Sequence, residues 1–358
     1  MLELDGGEAG GQFIRTAVTL SILTDTPVRL TDVRGGRSEP GLKPQHLAAV
    51  EALASLSDAS VTGADLGSTT VEFDPDSGPV HSQSLTVDVG TAGSVALVFD
   101  AVLPLAATLA GPVSLTATGG TDVSWSPLLA YLDRIKLPVL RRHGVSAAVE
   151  RERTGFYPAG GGRATLHVGP STVQPLALTE RGTGHGVDVV SVASDGLADA
   201  DVAERQARAA RGRVEDAGLT VRHLTSTYAE TESPGTSVLV ALDYAATRGG
   251  FSALGERGTP AEDVGEEAAT AALAFHEGSA VVDRHMADQL LVFAATAGGT
   301  VVVPAVTDHV ETSLELLATF GASSSVQSDD PTTRLVVDPL ELPNTGSGSR
   351  DHSAQNQG

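Results

Sequence analysis

One arrangement recurs three times along this chain. It comprises a glycine-bearing turn, an apolar helical stretch, a short β-branched run, a second loop and a second helix. The first copy has its turn at 5–11, a helix near 12–23, a strand over 28–33, a loop at Gly35-Gly36 and a helix near 43–56. The second opens at Asp88-Val-Gly-Thr-Ala-Gly-Ser94. It continues through a helix near 94–109, a strand over 113–118, the loop Gly119-Gly-Thr-Asp122 and a helix near 127–141. The third starts near Asp283, with a helix near 286–296, a strand over 300–303, the loop Thr307-Asp-His309 and a helix near 310–319. Strands such as 164–168 and 333–337 close the copies. Such recurrence predicts an α/β (α+β) fold of three stacked units, each laying two helices on one sheet face.

Residues 184–277 fall outside the repeat and read as an α+β domain inserted between the second and third copies. Its strands are expected at 187–192, 221–225 and 237–244, and its helices at 199–217 and near 260–276. Residues 1–183 together with 278–341 then form the main domain of three repeats. The tail 342–358, rich in Pro, Asn, Gly, Ser and Gln, has no apolar periodicity and is expected to be disordered.

The chain has no unbroken apolar run of about 18 residues, and its start lacks the basic and apolar regions of a signal peptide. It has no cysteine, which excludes disulfides and thiolate metal sites. These features predict a cytoplasmic protein without a membrane span. The net charge is -22, and of 23 basic residues only Lys43 and Lys136 are lysine. Dense carboxylates, arginine in place of lysine and few aromatics point to a proteome adapted to high salt. Native structure and activity are therefore expected to fall as salt is withdrawn, followed by circular dichroism. Full stability at low salt would contradict this. So acidic a chain suits nucleic acid poorly, and any such contact must come from a local basic patch.

One such patch stands out: Arg15, Arg34, Arg37 and Lys43 lie among the glycines of residues 5–46. Glycine-rich turns at helix starts expose backbone N–H groups, and arginines add forked donors, a combination suited to phosphate. Glu8 in the first turn is the best single carboxylate for a cation bound to phosphate, although a capping role fits it equally. Asp308 and Glu311 have the spacing of a capping box, which puts His309 in the first turn of a helix. A helix N-terminus disfavours the imidazolium and attracts anions, so a neutral ring there could attack bound phosphorus. A surface histidine at a helix start is the bland alternative. His285, Asp288 and Gln289 open another helix and could stack on a base and bond its edge, whereas Met286 and Leu290 are core candidates. Gly155-Phe-Tyr-Pro-Ala-Gly-Gly-Gly162 reads either as a flexible functional turn or as a β-turn carrying two exposed aromatics. No phosphate loop, dinucleotide fingerprint or His-Glu-x-x-His is present. The remaining histidines, His46 among them, receive no role.

Taken in order, these motifs resemble the RNA 3'-terminal phosphate cyclase family. The matching pieces are Gly7-Glu8-Ala-Gly-Gly-Gln12 with Arg15, then Arg34-Gly-Gly-Arg37 with Pro40-Gly-Leu42 and Gln45. Thr91-Ala-Gly-Ser94, Gly119-Gly-Thr-Asp122, the turn 155–162, His285-Met-Ala-Asp-Gln289 and Asp308-His309 follow, spanning about 1–340. The resemblance implies three βαβαββ-like units, as in the cyclase and enolpyruvyl transferase folds, plus a smaller inserted domain. It also implies an ATP-dependent enzyme that turns a terminal 3'-phosphate of RNA into a 2',3'-cyclic end. His309 would carry AMP, and Arg15, Arg34, Arg37 and Gln45 would meet the phosphates or the RNA end. Glu8 would hold a divalent cation, Mg2+ or Mn2+. His285 and Pro127 would sandwich adenine, with Met286, Ala287, Asp288 and Gln289 beside it. Two positions depart from the family pattern: Ala9 replaces a glycine, and Asp100 stands where a Gln that helps bind ATP is common. Competing readings are a non-catalytic ribosome-assembly relative, which would lack His309, and an enolpyruvyl transferase-like enzyme, which would need more lysine and arginine.

Overall fold

Three of the sheets share one strand order in the computed structural model, which describes residues 1–76 and 78–343. In the first repeat, β1 (Leu2–Asp5) leads through α1 (Gly11–Thr24) to β2 (Val28–Thr31), which pairs with it in parallel. The next helix, α2 (Pro44–Ser57), leads to β3 (Ser60–Thr62) and β4 (Val71–Asp74), an antiparallel pair. The sheet order is β1-β2-β4-β3. The second repeat follows the same path. It runs through β5 (Gln83–Asp88), α3 (Val95–Val102), β6 (Val113–Gly119) and a helical stretch, then β7 (Ala147–Arg153) and β8 (Gly162–Val168), in the order β5-β6-β8-β7. That helical stretch is α4 (Leu129–Tyr131) and α5 (Leu137–Arg142), joined by a π turn at Leu132–Lys136.

The third repeat begins earlier than its sequence pattern indicates. Its first strand, β9 (Leu176–Leu178), pairs in parallel with a strand that comes only after the inserted segment. The insert therefore interrupts the third copy instead of separating it from the second. Three residues, Leu-Ala-Leu, are too few to stand out as a β-branched run. The insert consists of β10 (Gly184–Ser194), α6 (Val202–Asp216), β11 (Val221–Ala229), β12 (Thr236–Tyr244), β13 (Arg248–Leu254) and α7 (Ala261–Glu277). Its sheet runs β11-β10-β12-β13. The third repeat resumes with α8 (Arg284–Gln289), α9 (Leu291–Ala297), β14 (Gly299–Val303), α10 (Asp308–Thr319), β15 (Ser324–Asp329) and β16 (Thr332–Val337). Read from β9, its sheet order is again first, second, fourth, third.

A single apolar cluster joins all three repeats, and a second lies between the insert's sheet and its helices α6 and α7. At the centre of the first lies α1, buried from Ile14 to Ser21 and packed against α2, α3 and α10. A helix covered on so many sides must be apolar nearly all round, and Thr19 is tolerated because its hydroxyl donates to carbonyl oxygens of Arg15 and Ala101 at 2.8 and 2.7 Å. The central position of α1 fixes the location of its N-terminus, where the arginine- and glycine-rich turn sits. Of the expected disordered tail, residues 344–358 lie outside the described residues.

Candidate active site

Four helices begin close together. The cap of α1 is Gly10, which supplies no side-chain bond. A Cβ placed on Gly10 would lie 3.7 Å from an Arg37 guanidinium nitrogen and 3.7 Å from Cε1 of His309. His309 is exposed in the first turn of α10, as its spacing predicts, but the cap is Thr307 and not Asp308. The Thr307 hydroxyl accepts the Val310 N–H at 3.3 Å, and Asp308 becomes the first helical residue. Either oxygen can cap; the extended backbone at Thr307 makes it the one in place. Gln12 donates to Ser313 Oγ at 3.3 Å and so ties the first turn of α1 to α10.

The start of α2 lies on the other side of α1. Ring nitrogen Nε2 of His46 would stand only 1.9 Å from a Cβ on Gly11, so glycine is needed there for space. None of residues 5–11 has a positive φ, and Ala9 therefore fits the turn without backbone strain. Next to His46, Gln45 accepts the Ser94 N–H at 3.4 Å, and Ser94 caps α3. The N-termini of α1, α2, α3 and α10 thus meet, each bringing partial positive charge. Such an arrangement suits an anion, and Arg37 and His309 stand beside Gly10.

His46 was not foreseen as part of this arrangement. Its Nδ1 accepts the Lys43 N–H at 3.1 Å, which leaves the proton of the neutral ring on Nε2, facing Gly11. Burial, reinforced by Arg15, Arg34 and Lys43, pushes its pKa down to about 3 from the ordinary 6.5. Between those values the unfolded chain binds a proton at this ring and the folded chain does not, so acid lowers stability. At pH 5 the loss is roughly 2 kcal/mol. His46→Gln is expected to flatten stability between about pH 7 and pH 5 in denaturant titrations; an acid limb as steep as that of the natural protein would contradict this.

Beneath the helix starts lies a buried charged floor drawn from all three repeats. Arg15, from the first, is buried beside Asp100 and Asp288, and burial lowers its pKa. Asp100, from the second, accepts from Lys136 Nζ at 2.8 Å, with side-chain exposures of 12% and 2%. Burial raises the pKa of Asp288, from the third, against a hydrogen bond from Gln12 and the proximity of His309. Asp100 is thus the internal counter-ion of Lys136 and a neighbour of Arg15. Lys136 could have been flagged in sequence, being one of two lysines and set in the apolar run Leu-Asp-Arg-Ile-Lys-Leu-Pro-Val-Leu.

Arg34 behaves differently from its neighbours. In left-handed backbone at φ 56, it donates from Nη1 to the carbonyls of Glu39 and Gly41, both at 3.0 Å, and so braces the loop that presents Arg37. Glu8 is exposed on its turn, and among the described residues no group of three or more carboxylates and imidazoles could hold a metal ion. Asp122 is enclosed, accepting from Thr121 and Ser237 at 2.7 and 2.8 Å, and fastens the second repeat to the insert.

Another junction positions the second candidate surface. Asp283, fully buried, caps α8 by accepting the His285 and Met286 N–H groups at 2.9 and 3.0 Å. It also accepts from Tyr131 Oη at 2.8 Å and from the Gly250 N–H of the insert at 3.1 Å. These bonds offset the burial that raises its pKa. Pro127 stands just ahead of α4, and His285 is exposed at the start of α8. Met286 and Ala287 are fully buried in the core, so their side chains do not face this surface. Gln289 is half-buried, and its Oε1 is buried without a hydrogen-bond partner.

Three βαβαββ units here gather helix N-termini around the exposed imidazole of His309, an arrangement suited to an anion beside a nucleophile. The sequence matches the RNA 3'-terminal phosphate cyclase family over residues 6–325, and the chain belongs to that family, a family of enzymes. It is 46% identical over 336 residues to the RNA 3'-terminal phosphate cyclase of Halobacterium salinarum, covering 91% of this chain and 97% of that one. The protein of that name from Thermococcus gammatolerans is 40% identical over 347 residues, covering 95% and 99%. The one from Caldivirga maquilingensis is 38% identical over 355 residues, covering 96% and 99%. Among solved structures, the enolpyruvyl transferase NikO from Streptomyces tendae aligns with a TM-score of 0.29 and 19% identity over 48% of this chain and 33% of that one, too slight a likeness to carry an argument. Among the described residues no helix is long and apolar enough to cross a membrane.

Proposed function

We propose that this protein uses ATP to convert the 3'-phosphate end of an RNA into a 2',3'-cyclic phosphodiester. His309 attacks the α-phosphorus of ATP, a P–N bond forms as the bond to pyrophosphate breaks, and AMP stays on the ring. An oxygen of the RNA 3'-phosphate then displaces the imidazole, giving an RNA-3'-pp-5'-A end. The adjacent 2'-OH attacks the terminal phosphorus of the RNA, loses its proton and expels AMP. This last step is effectively unimolecular, because the hydroxyl is already held near its target.

The observation that carries this reading is His309 and Arg37 standing against Gly10 among the helix starts. Arg37 and the helix N–H groups would hold phosphate oxygens, with Gln45 at the junction of α2 and α3. Arg15 would contribute positive charge from beneath, and Arg34 would keep the Arg37 loop in place. His285 and Pro127 would cover the two faces of adenine, with Asp288 alongside. The unpartnered Oε1 of Gln289 would accept a donor from the nucleotide, such as an amino or hydroxyl group. Met286 and Ala287 would support these residues from the core. Asp100 would act through its pairing with Lys136.

A divalent cation, Mg2+ or Mn2+, would bind mainly through phosphate oxygens, since Glu8 offers one exposed carboxylate and no group of three or more carboxylates and imidazoles could hold it among the described residues. When bound, it would neutralise charge on the departing pyrophosphate. The composition fits a halophile's cytoplasm. The test is to incubate the protein, ATP and a 3'-phosphorylated oligoribonucleotide in molar salt. The terminal phosphate should become resistant to phosphatase, in step with AMP release. RNA ends that remain fully sensitive would overturn the proposal.

A further inference from the structure

The only tryptophan of the chain, Trp125, is 100% exposed, and Tyr157 is 71% exposed, in a sequence with only 4% aromatic residues. Trp125 is held at φ 65, a region bulky side chains rarely occupy. Its loop is bonded to that of Tyr157: the Thr121 and Asp122 N–H groups donate to the Gly155 carbonyl at 3.0 and 3.1 Å, and the Gly155 N–H donates to Thr121 Oγ1 at 3.0 Å. Phe156 is buried against Gly235, and the Ala159 N–H donates to Ser233 Oγ at 3.0 Å, so the insert anchors the second loop. Trp125 lies two residues before Pro127.

We infer that Trp125 and Tyr157 form a stacking platform for bases of the single-stranded RNA whose end enters the site; this rests on the function proposed above. RNA is the occupant that the charge balance favours. A protein at -22 cannot hold a polyanion by broad charge attraction, and high salt weakens phosphate contacts further. Stacking needs no positive charge and tolerates any base sequence. The bonds between the two loops lower the ordering cost of binding.

Because Trp125 is the sole tryptophan, emission excited beyond the tyrosine absorption band reports on it alone. The full chain in molar KCl is titrated, without ATP, with an oligoribonucleotide ending in a 3'-phosphate. Emission should be quenched with the same midpoint as the anisotropy of a labelled copy of that RNA, and the midpoint should change little as salt is raised. Trp125→Ala and Tyr157→Ala should each weaken RNA binding about tenfold, and Trp125→Phe should recover part of the loss. RNA that fails to bind, binds without quenching, or binds equally to Trp125→Ala would overturn the platform. So would quenching by ATP alone, which would put Trp125 in the nucleotide pocket. Labelling of the same wild-type preparation by α-labelled ATP is read separately. Its absence sinks the cyclase reading, whereas labelling without quenching sinks only the platform.

Discussion

Replacing His309 by alanine is expected to lower cyclisation by on the order of 10⁴-fold or more, while the protein stays folded and still binds ATP. The side chain is exposed at the start of α10, so its loss leaves no cavity in the core. Among the described residues at these helix starts, no other imidazole is free to take its place. His46, the other ring at these helix starts, has Nδ1 occupied by the Lys43 N–H and Nε2 turned against Gly11. His309→Asn, closer in size and polarity, should be equally inactive if the ring acts as a nucleophile. Activity within tenfold of the natural protein in either variant would mean that another group reacts, or that the ring only positions ATP. Circular dichroism of both variants in molar salt separates loss of chemistry from loss of fold.

Lys136→Met is expected to destabilise the protein by roughly 3 kcal/mol, the lower part of the range for breaking a buried ion pair. The Lys136 ammonium is 2.8 Å from Asp100, and its removal leaves that carboxylate with Arg15 as its remaining nearby cation. Arg15 keeps the cost from being higher. The double variant Asp100→Leu, Lys136→Met takes both charges out and should recover much of the loss, because burying the pair already carries a large desolvation cost. Denaturant unfolding at fixed high salt measures both. A single variant costing under about 1 kcal/mol would show that the pair does not hold the floor together.

What could be read from the sequence was local, and what could not was long-range. His309 in a helix first turn, Arg37 among glycines and the repeat itself follow from spacing of a few residues. The choice of Thr307 over Asp308 as cap did not, because both are good caps and backbone geometry decides between them. The strand Leu176–Leu178 was invisible because its partner, Gly299–Val303, lies beyond the whole insert. The bonds from Tyr131 and Gly250 to Asp283 and from Lys136 to Asp100 join residues far apart in the chain. Nothing in their neighbours forecasts them. Arg34 carried the right charge in the right loop, yet its guanidinium is used on the carbonyls of Glu39 and Gly41, a choice that only the folded loop determines.

The most direct test of the central claim is to find the atom that carries AMP. The protein is incubated with ATP and a divalent cation in molar salt without RNA, digested under neutral to alkaline conditions, and analysed by mass spectrometry. The account predicts an acid-labile AMP adduct on the peptide containing His309, discharged when 3'-phosphorylated RNA is added. An adduct on any other residue, or no adduct in a protein shown to bind ATP, would contradict it.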